Sequence, residues 1–364
     1  MPQAEALPFV RQPHPSPVSA ERRTALLQDP GFGRVFTDHM VTIRYTEGRG
    51  WHDATVGPRG PISLDPATAV LHYAQEIFEG LKAYKTAEGG ATLFRPEQNA
   101  RRFQQSAERL AMPSLPEELF LQSLNELVTI DREWIPSGDG SLYLRPFMFA
   151  DEAFLGVKPS SQYLYAVIAS SVGAYFKTKA SAVSVWVSQN FTRAAPGGTG
   201  AAKCGGNYAA SLQAQAEASS HGCDQVVFLD AVERRWIEEL GGMNIFFVLD
   251  DGSMVTPPLG GTILPGITRA SIITLARDQG IEVREEGYSL DDWRRDAASG
   301  RLKEAFACGT AAVLTPIGTV RTQDGDFQIG NGGSGARTED LRGALVDIQR
   351  GRAADTRGWV RKVF

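Results

Sequence analysis

The feature that most restricts the fold is a set of apolar, strand-like runs that follow one another with no helical pattern between them. GLKAYK and ATLF flank a glycine turn, SLYLRPFMFA is followed by QYLYAVIASSV, and MNIFFVLDDGSMVTP reverses at DDG. Neighbours of this kind pair as hairpins, because a parallel pair needs a crossover of a dozen or more residues. Such strands outnumber what a doubly wound parallel sheet supplies. Helical patterns stand among them. DPATAVLHYAQEIF places Val70, Leu71, Ala74, Ile77 and Phe78 at helical spacing, and RPEQNARRFQQSAERLAM and LPEELFLQSLNELVTI are amphipathic. Asn207 is placed to cap the alanine-rich YAASLQAQAEASS, a further helix runs from near Thr268 to Gly280, and TEDLRGALVDIQRG is the last. The fold class is therefore α+β. At 364 residues two domains are expected. Their bounds are read as a loose N-terminal arm over 1–30, a small α+β domain over 31–173, a linker over 174–182 and a larger domain over 183–364.

Composition removes several functions. The net charge is -5 with no basic stripe, so nucleic acid is not an expected partner. No apolar run reaches membrane-spanning length, and the proline-bearing start lacks a signal-peptide core, so no membrane partner and a cytoplasmic location are expected. Three cysteines, Cys204, Cys223 and Cys308, are too few for a disulfide framework, and neither they nor the five histidines stand at metal-ligand spacing. No metal is expected.

The chemistry starts at GTGAAKCGGNYAAS, where Lys203 is the single charged residue among small ones. A lysine in a tight, uncharged setting loses hydration, which favours the neutral, imine-forming amine. The same stretch also suits a solvated lysine on a glycine-rich loop. Pyridoxal phosphate would ask four further things of the chain. Its ring nitrogen needs a carboxylate, and WIEELGGMN offers Glu238 and Glu239, only one of which strand alternation would aim inward. Its phosphate needs amides at a helix start, which LPGITR offers at Ile267 and Thr268, and ACGTAA adds a small-residue turn with Thr310. Arg95, after a strand in LFRPEQN, is placed to reach the phosphate, and Tyr208 to donate to the ring hydroxyl.

These signals coincide with a family. FGRVFTDHM, LHYAQEIFEGLKAY, LFRPEQN, SLYLRPF, LGVKP, VGAYF, KCGGNY, EELGGMN, LPGITR and CGTAA occur in this order almost from end to end. The chain so resembles the branched-chain aminotransferases of the fold-type IV pyridoxal-phosphate enzymes. The resemblance implies two α/β domains with an interdomain loop and the cofactor at the domain interface. It implies that Lys203 is the cofactor-linking and proton-shuttling lysine and that Glu239 meets the ring nitrogen, with Glu238 as the alternative. Tyr208 would bond the ring hydroxyl, and Arg95, Ile267, Thr268 and Thr310 the phosphate. Gln225 would support the lysine and tyrosine from behind. Phe32, Tyr73, Phe78, Tyr143, Arg145 and Tyr175 would wall the substrate pocket, joined by Thr310 and Ala311, while Leu155 and Val157 would reach into a neighbouring subunit of a homodimer. The substrates implied are L-leucine, L-isoleucine, L-valine and L-glutamate with their 2-oxo acids. Two departures stand out: GTAAVL lacks the CxxC of mammalian members, and Gly242 replaces their threonine. Cys204 is read as packing. Rival readings are a D-amino-acid aminotransferase, an aminodeoxychorismate lyase and a non-catalytic binder of phosphorylated ligands.

Overall fold

The computed structural model of the chain describes residues 7–173 and 182–364. These fall into two compact units. The first runs to residue 173 and also takes Ala202–Gly205 and Gln349–Phe364, while the second takes 182–201 and Gly206–Ile348.

In the first unit, β1 (Val10–Arg11) and α1 (Ala20–Gln28) precede β2 (Val35–Phe36), β3 (His39–Thr46) and β4 (Gly50–Pro58). Next come α2 (Ala69–Tyr73), β5 (Glu76–Phe78), β6 (Leu81–Lys85), β7 (Ala91–Phe94), α3 (Pro96–Arg109) and α4 (Glu117–Ile130). The long strands β8 (Ser141–Ala150) and β9 (Gln162–Val172) follow and pair antiparallel along the whole of β8. In the second unit are β10 (Val183–Ser188), α5 (Gly205–Ser220), β11 (Gln225–Leu229), β12 (Ile237–Leu240), β13 (Asn244–Leu249), β14 (Met254–Thr256) and α6 (Ile267–Asp278). Then come β15 (Val283–Glu285), α7 (Leu290–Ser299), β16 (Leu302–Gly309), β17 (Val313–Arg321), β18 (Phe327–Gln328) and α8 (Ala336–Gln349). The chain closes with β19 (Val360–Lys362), which pairs with β7 back in the first unit.

The first sheet runs β1-β4-β3-β9-β8-β6-β7-β19, with β2 on β9 and β5 on β8; among the described residues every pairing in it but β1 with β4 is antiparallel. The second runs β12-β11-β10-β17-β16-β13-β14-β15 and mixes directions, with β10 parallel to both of its neighbours. Among the described residues the strand order is not doubly wound, in agreement with the hairpin reading. Each unit has its own apolar core: Phe103, Phe120, Trp134 and Tyr165 in the first, Phe247, Trp293 and Ile317 in the second.

Four expectations differ from what is observed. The helix expected through DPATAVLHYAQEIF stops at Tyr73, because Ala74 adopts a left-handed conformation (φ 49°) and Glu76–Phe78 instead pairs with β8. Ile77 and Phe78 thus serve a sheet, and their helical spacing is incidental. Asn207 lies within the first turn of α5 and does not cap it; its side chain accepts from the Thr199 hydroxyl and donates to the Thr199 carbonyl. The arm over 1–30 carries β1, which adds to β4, and α1, capped by Ser19. Finally, the lysine turn 202–205 and the last residues group with the first unit. The Phe78 N–H donates to the Lys203 carbonyl (3.0 Å), the Lys203 N–H donates to Ser106 Oγ (2.9 Å), and Cys204 bridges Ile77. The linker expected over 174–182 lies, but for Ala182, outside the described residues, as does Tyr175.

Candidate active site

The first unit carries Lys203, Arg95, Phe32, Tyr73, Phe78, Tyr143, Arg145, Leu155 and Val157. Two elements, β5 and α3, fix the lysine. Strand β5 supports the carbonyl of Lys203, and α3 supports its N–H through the buried Ser106. Its Nζ stands 4.9 Å from the centre of the Phe78 ring, whose π face attracts the ammonium form. Next to Phe78, the fully buried Glu79 is gripped by Arg102 from Nε (2.7 Å) and a terminal nitrogen (2.9 Å), and by Asn99 (2.7 Å). Burial raises the Glu79 carboxyl, yet Arg102, Lys203 and Asn99 together outweigh it and hold the group below the ordinary carboxylate range. Asn99, Arg102 and Ser106 lie three and four residues apart on α3, so one helix face serves both Glu79 and the lysine turn. Sequence reasoning missed this cluster, although the spacing of the three residues was visible.

Phe32 packs edge-on against Tyr143 (5.2 Å between centroids). Arg145 donates to the Tyr143 hydroxyl (3.1 Å) and lies 4.7 Å over the Phe78 ring, so these four expected pocket residues do come together. Gly80 makes the arrangement possible, since a β-carbon there would collide with the Tyr143 hydroxyl. Gly80→Ala is expected to displace that ring at a cost of about 1–3 kcal/mol in stability, read from the denaturant midpoint. Tyr73 is exposed beside His72. Leu155 and Val157 are 67% and 90% exposed, far more than apolar side chains in an ordinary packed loop. Arg95 takes a left-handed conformation (φ 49°) as the residue before Pro96, and its guanidinium lies 4.8 Å over the ring of Trp359. Burial lowers its pKa. The Trp359 platform arrives from the last strand region, more than 260 residues away, and no local signal marked it.

The second unit carries Tyr208, Gln225, Glu238, Glu239, Ile267, Thr268, Thr310 and Ala311. Alternation along β12 separates the two glutamates. Glu238 accepts from the Thr262 hydroxyl (2.5 Å), and burial raises its pKa. Glu239 forms an ion pair with Arg193 (2.8 Å) in which both side chains are only 2% exposed. It also accepts from the Leu264 N–H (2.9 Å) and from Asn244 Nδ2 (3.2 Å), and Asn244 donates in turn to the Leu264 carbonyl (3.0 Å). The carboxylate is therefore tied to the loop that leads into α6. That helix opens at Gly266 with no side-chain cap, so the amides of Ile267 and Thr268 and the positive end of the helix are open to an anion. Thr310 and Ala311 form the tight turn between β16 and β17. Tyr208 stands in α5, beside Gly242, where a β-carbon would lie 3.6 Å from its ring. Gln225 begins β11 opposite Val185. Cys204 and Cys308 are buried, and burial pushes the Cys308 thiol up to about 12, which leaves it inert. Arg193, Asn244 and Thr262 were not anticipated, because nothing in the sequence marks which distant polar residue completes a buried carboxylate.

The donor set fits pyridoxal phosphate. The second unit carries a carboxylate paired with Arg193, an uncapped helix start, a small-residue turn and a phenol, and the first unit a supported lysine, each a kind of group this cofactor uses.

Residues 76–320 match the amino-transferase class IV family model, and the chain belongs to that family. Within it the chain falls among the branched-chain-amino-acid aminotransferases. The branched-chain-amino-acid aminotransferase of Mycobacterium tuberculosis is 56% identical over 353 residues, covering 96% of each chain. That of Mycolicibacterium smegmatis is 54% identical over 362 residues, covering 98% of each. Among solved structures, the branched-chain amino acid aminotransferase of Thermobaculum terrenum in its pyridoxal-phosphate form superposes with a TM-score of 0.72 at 26% identity, over 89% of this chain and 98% of that one. Among the described residues no helix is long and apolar enough to cross a membrane.

Proposed function

We infer that the protein is a pyridoxal-phosphate-dependent aminotransferase that moves the amino group between L-leucine, L-isoleucine or L-valine and 2-oxoglutarate. The observation that carries the reading is the buried Glu239–Arg193 pair tied through Asn244 to the loop before α6, because a charged carboxylate beside an anion-binding helix start suits this cofactor and few other ligands. When bound, pyridoxal phosphate supplies the electron sink for charge developing at the substrate α-carbon.

The chain's own residues do the rest. Lys203 holds the cofactor covalently between turnovers. Its Nζ, once freed, would take the proton from the substrate α-carbon and deliver it to the cofactor side of the C–N linkage, acting as base and then acid. Glu239 would face the ring nitrogen and favour its protonated form, with Arg193 as the buried ion-pair partner of that carboxylate. Tyr208 donates to the ring hydroxyl. Arg95, the amides of Ile267 and Thr268, and Thr310 hold the phosphate. Gln225 supports the lysine and tyrosine from behind. The substrate leaves as its 2-oxo acid, and 2-oxoglutarate takes up the amino group and leaves as glutamate.

Phe32, Tyr73, Phe78 and Tyr143 offer apolar area to a branched side chain, each buried methylene contributing about 0.8 kcal/mol. Selection among the three branched substrates is correspondingly weak, about 1–3 kcal/mol for one methylene. Thr310 and Ala311 adjoin the substrate carboxylate. Leu155 and Val157, apolar and exposed, reach a neighbouring subunit's pocket in a homodimer. The location proposed is the cytoplasm, consistent with free cysteines and no helix of membrane-spanning character among the described residues.

The purified protein is expected to be yellow, to lose visible absorbance when L-leucine is added and to regain it with 2-oxoglutarate. A response to D-alanine with none to L-leucine would overturn the substrate assignment. Colourless protein that added cofactor leaves unchanged would overturn the enzyme reading.

A further inference from the structure

We propose that Glu76 is a specificity-determining residue: its carboxylate is the counter-charge to Arg145 and sets how strongly a second substrate carboxylate is held relative to a branched apolar side chain. The inference rests on the aminotransferase reading above and deepens it.

Register places the group. Glu76 lies opposite Phe149 and Phe78 opposite Phe147, and Arg145 and Tyr143 continue the same alternation along β8. Glu76, Phe78, Tyr143 and Arg145 therefore project from one face of the first sheet. The Phe78 ring is the shared platform of that face, with the Arg145 guanidinium 4.7 Å and the Lys203 amine 4.9 Å from its centre. Two cations thus stand on one ring, and Glu76 is the neighbouring anion on the same face. The other side of its carboxylate is set by Gly205, whose N–H donates to it and whose missing side chain leaves it room. The carboxylate cannot swing away without abandoning that amide. Burial raises the Glu76 carboxyl, while the Gly205 amide and the charge of Arg145 oppose the rise.

The physical need follows from the dual substrate set. The Nε of Arg145 is buried without a partner among the described residues, and its guanidinium donates to the Tyr143 hydroxyl. A guanidinium so poorly satisfied would hold glutamate or 2-oxoglutarate tightly and resist an apolar side chain lying over it. Glu76 offsets part of its field without capping it. The site then accepts a dicarboxylate while remaining close to neutral for leucine.

The test uses the holoenzyme and two substrate-like acids that cannot react, glutarate and 4-methylpentanoate, followed as competitive inhibitors. In Glu76→Gln, which keeps an acceptor for Gly205 and removes the charge, glutarate is expected to bind about five-fold more tightly and 4-methylpentanoate to change less than about two-fold. The ratio of kcat/KM for glutamate over leucine should rise by the same factor. Glu76→Asp, which keeps the charge and shortens the reach, should leave the glutarate preference within about two-fold of wild type. Unchanged glutarate affinity in Glu76→Gln, or an equal change for both acids in both variants, overturns the inference and leaves the aminotransferase reading standing. Wild-type holoenzyme that transaminates neither leucine nor glutamate overturns that reading, and this inference with it.

Discussion

Lys203→Ala is expected to lower turnover of L-leucine with 2-oxoglutarate by about 10⁴-fold or more, since in the proposed function one side chain supplies both the covalent link and the proton transfer. The protein should still fold. The turn is held through its backbone, by Phe78 and Ser106, and neither contact involves the lysine side chain. The variant should therefore keep the wild-type denaturation midpoint while its visible spectrum no longer responds to leucine. Retention of more than about a tenth of wild-type turnover would assign the proton transfer to another group.

The second large effect concerns stability. Arg193→Ala is expected to destabilise the protein by about 3–5 kcal/mol, because Glu239 is left as an uncompensated buried charge. The carbonyls of Thr262 and Gly200 lose a donor in the same change. A paired replacement, Arg193→Met with Glu239→Gln, should recover most of that loss, since a buried ion pair can be exchanged for neutral side chains at little cost. It should not recover activity. Denaturant midpoints of the two single variants and the pair, read beside leucine turnover, separate the structural from the chemical role of Glu239. A single-variant loss below about 1 kcal/mol would mean that water reaches the pair.

The strands and most helices were legible because their apolar periods are strong, as in β8, β9, α3 and α4. The failure in DPATAVLHYAQEIF has a specific cause: Ala74 turns left-handed and β8 offers Glu76–Phe78 a ladder, and a tertiary pairing outweighs helical spacing over so short a stretch. The same pairing aims Phe78 at the lysine and Glu76 at Gly205.

What the sequence alone determined was the inventory. Lys203, Glu239, Arg95, Tyr208 and the turns at LPGITR and CGTAA lie in contiguous motifs that carry the family resemblance, so the roles proposed for them could be named from the sequence. Only the tertiary structure decided which partners make that chemistry work. Arg193 and Asn244 for Glu239, Trp359 for Arg95, and Glu79 with Arg102 beside the lysine turn come from distant segments. The reason is physical: a buried charge must be satisfied wherever the fold can bring a partner, and the chain carries no local mark of where that will be.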